Sequence, residues 1–186
     1  MDYRKAIEEL RKIAEDFFEA KADLFKRLAA LLCERLKEGH KILIFGNGGS
    51  AAEAQHFAAE LVNKFLKERA ALRAIALTTD TSALTSIAND TSFQYVFSRQ
   101  IEALADKGDV AIGLSTSGNS PNVIEALKAA RKKGLLTVAL TGEGGGKVGS
   151  LADCLLDVPS KSTPRIQEVH LLLLHLLAQE IEKSAS

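Results

Sequence analysis

Twice in this chain a short apolar run ends in a glycine- or serine-rich turn, and a helical pattern follows at once. The first is Lys41-Ile42-Leu43-Ile44-Phe45, then Gly46-Asn47-Gly48-Gly49-Ser50. The second is Val110 to Leu114, then Ser115-Thr116-Ser117-Gly118-Asn119-Ser120 ahead of Pro121. Runs this short and this apolar suit strands buried on both faces, which requires a parallel sheet covered by helices. Further strands are predicted over 71–78, 135–140 and 154–158, and helices over about 50–67, 82–88, 93–105, 121–133 and 164–182. Strands alternating with helices give an α/β architecture. The expectation is one domain over residues 1–186, with a five-stranded parallel sheet in a three-layer, flavodoxin-like arrangement. In such sheets ligands bind beyond the carboxyl ends of the strands. Both turns lie at those ends, and so does the loop at 78–81.

Residues 2–38 read as a long helix stopped by Gly39, so that 1–38 forms an N-terminal helical extension. Apolar positions from Ile7 to Leu36 fall near a 3.6-residue period. The stripe suits packing on the core or on a second subunit, and the helix suits one piece or two. The 186 residues are 46% apolar with zero formal net charge, enough for a packed core. Balanced charge gives no general field for nucleic acid or an anionic membrane. Cys33 and Cys154 are too far apart in sequence for a cysteine zinc motif. Neither a secretory signal nor an apolar run of membrane-spanning length is visible, so a cytoplasmic protein is expected.

Chemistry concentrates in three places. His56 and Glu60 are four residues apart on a predicted helix and therefore share a face, one as a metal ligand, the other as a ligand or a base. Alone, such a pair also fits a solvated stripe. The segment Ser115 to Ser120 sets several hydroxyls at a helix N-terminus, where unpaired N–H groups and the helix dipole receive a phosphate. Its last residue, Ser120, reads as the cap before Pro121. Gly46 to Ala51 loosely fits a dinucleotide-binding turn, but the acidic partner after the second strand is missing, so a small ligand fits better. The last helix carries Gln167, Glu168, His170 and His175. Gln167 and His175 are offset by about 80° and rise about 12 Å, so helix geometry alone pairs His175 with Glu168.

Five ordered motifs then make a specific pattern: Gly46-Asn47-Gly48-Gly49-Ser50-Ala51-Ala52, His56-Phe57-Ala58-Ala59-Glu60, Ile87-Ala88-Asn89-Asp90, Ser115 to Ser120, and Arg165-Ile166-Gln167-Glu168-Val169-His170. Together they closely resemble the phosphoheptose isomerases of the sugar-isomerase (SIS) fold, over nearly the whole chain. The resemblance implies an aldose–ketose isomerase acting on D-sedoheptulose 7-phosphate to give D-glycero-D-manno-heptose 7-phosphate. This is the first step towards the heptose of lipopolysaccharide cores or other surface glycans. It implies one zinc ion per subunit on His56, Glu60, Gln167 and His175, and a homotetramer with sites near subunit interfaces. It implies proton transfer by Glu60 and His175. It places the phosphate on Ser115, Thr116, Ser117 and Ser120, and the sugar on Asn47, Gly48, Gly49, Ser50, Asn89, Asp90 and Gln167. Lys64 stands where many relatives carry arginine, and reads as a phosphate contact or a surface residue. The rival reading is a replication-initiator-associating binding protein of the same fold. It resembles the isomerase without the glutamate of the His-x-x-x-Glu pair and without the later histidine. Glu60 and His175 are both present here. A sugar-phosphate-sensing regulator would need a DNA-binding domain for which no residues are left over.

Overall fold

The computed structural model describes residues 3–185. Its elements in chain order are α1 (Tyr3–Lys37), β1 (Ile42–Phe45), α2 (Gly49–Val62), β2 (Ala74–Ala76), α3 (Thr81–Asp90), α4 (Ser98–Leu104), β3 (Val110–Ser115), α5 (Pro121–Lys133), β4 (Leu136–Thr141), α6 (Gly146–Gly149), β5 (Cys154–Asp157) and α7 (Thr163–Ser184). The five strands form one sheet in the order β2-β1-β3-β4-β5, and every pairing is parallel. This is the flavodoxin-like order, in which the chain reverses its direction of winding between β1 and β3. The two turns that opened the sequence reading therefore flank the crevice where such a sheet binds ligands.

Alternation along the strands splits the core into two layers. Ile42, Ile44, Val110, Ile112, Leu114, Val138 and Leu140 point to the face covered by α1, α2 and α7. Leu43, Phe45, Ala111 and Ala139 point to the face covered by α4 and α5. Helix α5 packs tightly over Gly113: a Cβ there would stand 2.9 Å from Val123 and 3.2 Å from the Phe45 ring. Among the described residues no helix is long and apolar enough to cross a membrane.

The long first helix is a single piece. Phe17, Phe25, Leu28 and Leu32 pack it on the core, while Tyr3 and Ile7 near its start are each 62% exposed. Other boundaries differ from expectation for local reasons. Helix α2 stops at Val62, short of 67, because side chains from elsewhere occupy the next backbone groups: Glu182 accepts the N–H groups of Phe65, Leu66 and Lys67. Strand β2 is an edge strand paired only with β1, and three of the expected residues pair. The predicted helix over 93–105 is interrupted, because the Ser92 hydroxyl accepts the Gln94 N–H and starts a separate 3₁₀ turn at Phe93–Tyr95. The glycine-rich stretch after β4 contains the short helix α6.

Candidate functional site

The turn after β1 needs its glycines. A Cβ on Gly46 would stand 2.9 Å from Ser50 Cβ and 3.1 Å from Leu114 O, so the chain passes hard against β3 before α2 begins. Gly48 has φ +55°, a conformation that side chains rarely adopt. Asn47 makes a reciprocal amide pair with Asn122 at the start of α5: Asn47 Nδ2 donates to Asn122 Oδ1 at 2.9 Å, and Asn122 Nδ2 donates to Asn47 Oδ1 at 2.8 Å. Asn122 is buried and also accepts the Val123 N–H at 3.0 Å. Nothing in its spacing announced this tie between the two loops.

The second loop is held largely by backbone. Gly118 N–H donates to Ser115 O, Gly142 N–H to Thr116 O, and Val148 N–H to Gly118 O, at 2.9, 3.0 and 2.9 Å. A Cβ on Gly118 would run into the Gly145 carbonyl, and φ there is +65°. Ser120 stands at the N-cap of α5 but makes no side-chain capping bond. Its hydroxyl faces the Ser115 hydroxyl at 2.9 Å instead. The cap expected of Ser120 is thus absent. Pro121 carries no N–H, Val123 gives its N–H to Asn122 Oδ1 and Ile124 to Ser120 O, which leaves the Asn122 N–H and the loop hydroxyls to face an incoming anion.

Helix α2 buries Ala54, Phe57, Ala58 and Leu61, which turns His56 and Glu60 outward to meet α7. His56 Nε2 lies 3.3 Å from Glu60 Oε1 and 2.7 Å from His175 Nε2. One ligand atom from each of His56, Glu60 and His175 lies within 4.8 Å of the others. Two imidazole nitrogens and a carboxylate oxygen are donors that zinc accepts. On a tetrahedral zinc the two nitrogens would stand roughly 3.3 Å apart, given Zn–N bonds of about 2.0–2.1 Å. At 2.7 Å the two nitrogens are within hydrogen-bonding distance, and a small opening would give them the metal spacing. The donor set fits the ion. The His175 ring also stacks on Phe65, with centroids 5.5 Å apart and planes 14° apart.

The partner that helix geometry chose for His175 is wrong. Glu168 is half-exposed and pairs with Arg165 at 2.8 Å, because a partner one turn away is nearer than one about 10.5 Å up the helix. The Gln167 amide lies against Gly49, where a Cβ would stand 2.5 Å from Nε2. His170 is the fully buried histidine of α7. The Thr141 carbonyl only accepts, so Nε2 carries the proton in the 3.0 Å contact, and Nδ1 is left buried without a partner. Burial pushes this imidazole down to about 4, against the opposing pull of that carbonyl. Glu53, one turn before His56, is buried too, and burial pushes its carboxyl up to about 7, partly offset by Ser50. Asn89 and Asp90 are exposed at the end of α3 and bond to each other, Nδ2 to Oδ1 at 2.8 Å. Lys64 pairs with Glu68 on the surface.

Residues 5–142 match the SIS domain family. A phosphoheptose isomerase of Desulfovibrio desulfuricans is 56% identical over 90% of this chain and 80% of its own length. Phosphoheptose isomerase 1 of Campylobacter jejuni is 60% identical over 85% of each chain. The solved phosphoheptose isomerase of Neisseria gonorrhoeae superposes with a TM-score of 0.91 at 45% identity, over 97% of both chains. The chain belongs to the phosphoheptose isomerase family of SIS-domain proteins.

Proposed function

We propose that this chain interconverts D-sedoheptulose 7-phosphate and D-glycero-D-manno-heptose 7-phosphate, supplying heptose for lipopolysaccharide cores or other surface glycans. The observation that carries the reading is the convergence of His56, Glu60 and His175 from two helices beside the crevice of the sheet. Names of relatives at 50–60% identity support the substrate.

The reaction moves a carbonyl between neighbouring carbons. A base removes the C1 proton of the ketose while the C2 oxygen gains a proton, giving an enediol. The O1 proton then leaves and C2 is protonated, giving the aldose. We assign the carbon-bound proton to Glu60 and the oxygen-bound proton to His175. Zinc, when bound on His56, Glu60, Gln167 and His175, would polarise the carbonyl and steady the negative charge that develops on oxygen. Glu60 can serve twice because a carboxylate has two oxygens: Oε1 faces His56, and the other is left for the proton. Gln167 would join the set through its amide oxygen after its side chain leaves Gly49. The phosphate would sit on Ser115, Thr116, Ser117 and Ser120 at the start of α5, and the sugar along Asn47, Gly48, Gly49, Ser50, Asn89 and Asp90. The side-chain pairing of Asn47 with Asn122 favours its backbone as the contact. The same reading takes the chain as a single SIS domain, acting in the cytoplasm as a homotetramer.

Incubating purified protein with sedoheptulose 7-phosphate and following the new aldose by NMR tests this directly. A metal analysis runs on the same sample. Stoichiometric zinc and turnover are expected. Failure to turn the sugar over, with tight binding of a replication initiator, would replace the isomerase by a binding protein.

A further inference from the structure

We propose that Glu182 and Arg69, far from the reacting atoms, are positioning residues that set the spacing of the two metal-site helices, and that Phe65 fixes the plane of His175. The inference rests on reading His175 as a metal ligand. Glu182 lies in the last turns of α7 and is 2% exposed. Its Oε1 accepts the Phe65 N–H at 2.9 Å, and its Oε2 accepts those of Leu66 and Lys67 at 2.8 and 3.0 Å. Arg69 Nε stands 3.6 Å from the same carboxylate.

The other end of the guanidinium closes off α2. Arg69 Nη2 donates to Glu60 O at 2.6 Å, and Nη1 donates to Leu61 O at 2.8 Å and Asn63 O at 3.2 Å. These carbonyls belong to the end of the helix, where no later N–H within it can reach them. The pair thus fastens the turn of α2 that carries Glu60 to the helix that carries His175. The segment it pins presents Phe65, whose ring stacks on the His175 imidazole. His175 is bounded by Phe65 on its face and by His56 at its edge, with ring centroids 4.9 Å apart for the histidines. Three converging N–H groups and a guanidinium demand a charged acceptor at 182. A joint meant only to close the fold has no need to end on a ligand's ring.

Groups that orient a metal's ligands from outside typically change metal affinity by about 10–100-fold when removed. The probe is cobalt(II) added to zinc-stripped full-length protein, with affinity read by chelator competition and ligand geometry by the visible cobalt bands. Phe65→Leu, which keeps bulk and loses the flat face, is expected to stay folded by circular dichroism and bind cobalt about 10-fold more weakly with altered bands. Phe65→Tyr is expected to restore both. Glu182→Gln is expected to weaken cobalt by about 10-fold or more. If both variants fold, melt earlier and bind cobalt within twofold of wild type with unchanged bands, the residues are structural and the proposal is overturned. Should Glu182→Gln fail to fold, the Phe65 pair decides alone. Wild-type protein that takes up no cobalt overturns the metal reading itself, an outcome distinct from the variants' failure.

Discussion

Ser115 to Ser120 and the cluster of His56, Glu60 and His175 flank one crevice, yet different kinds of contact hold them. The serine loop is fixed by backbone bonds to the segment after β4, and by glycines packed where no side chain fits. Its shape depends little on any single side chain. The histidine–glutamate cluster is three side chains reaching between two helices, and its geometry depends on how those helices are spaced. On the proposed reading the serine loop receives a phosphate with neutral donors, which suits a rigid cradle. On the same reading the histidine–glutamate cluster would open, take up an ion and move protons, which suits side chains held by a remote anchor. Then kcat depends on one end and substrate affinity on the other, and the two should separate under mutation.

The largest effect falls on the side-chain end. His56→Ala should lose bound zinc and lower kcat by about 10²–10⁴-fold, the range for removing a group that acts in proton transfer or charge stabilisation. Binding of inorganic phosphate, measured by calorimetry, should change by less than about threefold, since a distant site is left intact. A parallel loss of phosphate binding would break the separation. Gly118→Ala should do the reverse. It forces a side chain into a positive φ and against the Gly145 carbonyl, costing roughly 2–4 kcal/mol in urea unfolding, and it should raise KM more than it lowers kcat.

Two buried groups behind the site titrate with opposite signs. The Glu53 carboxyl, raised to about 7 by burial, keeps a proton in the folded chain that the unfolded chain loses near 4.5. Stability from this group therefore falls as pH rises from 4.5 to 7, by roughly 2–3 kcal/mol. His170, held at about 4, does not take the proton that the unfolded chain gains near 6.5. Its contribution is full above 6.5 and is lost as pH falls to 4. Urea unfolding of Glu53→Gln should show roughly 2 kcal/mol of added stability at pH 8 and little change at pH 4. An equal gain at both values would mean that packing, not ionisation, sets the cost.

The smallest effect is Ser117→Ala. One neutral hydroxyl among several donors contributes about 0.5–1.5 kcal/mol, so KM should rise roughly 2–12-fold with kcat unchanged. A loss in kcat of the same size would mean that the serine loop also shapes the transition state.

How much of this was legible follows from the range of each interaction. Alternation of apolar runs and turns placed β1, β3 and β4, and the i, i+4 spacing put His56 and Glu60 on one face. The serine loop was visible because hydroxyls before a proline-started helix have local consequences. Partner choice across the chain was not. His175 meets His56 rather than Glu168 because α2 packs on α7, which no periodicity encodes. Asn122 and Asn47 are 75 residues apart, and Phe65 and Glu182 are 117 apart. Helix α2 ended early for the same reason, since a carboxylate from the far end of the chain claimed the backbone that would have continued it. An acidic residue late in an otherwise apolar face, Glu182 after Ile181, was the one local hint.

The central claim is that Glu60 moves a carbon-bound proton at a centre it shares with His56 and His175. Isomerisation of sedoheptulose 7-phosphate in D2O, followed by proton NMR for wild type and Glu60→Gln, tests it. Wild type should give an aldose whose C2 carries solvent deuterium to the extent that the Glu60 proton exchanges with water before it returns to carbon. From Glu60→Gln, folded and still able to bind phosphate, the account predicts a rate lower by about 10²–10⁴-fold. Glu60→Gln, folded and still able to bind phosphate, turning over at the wild-type rate would contradict it.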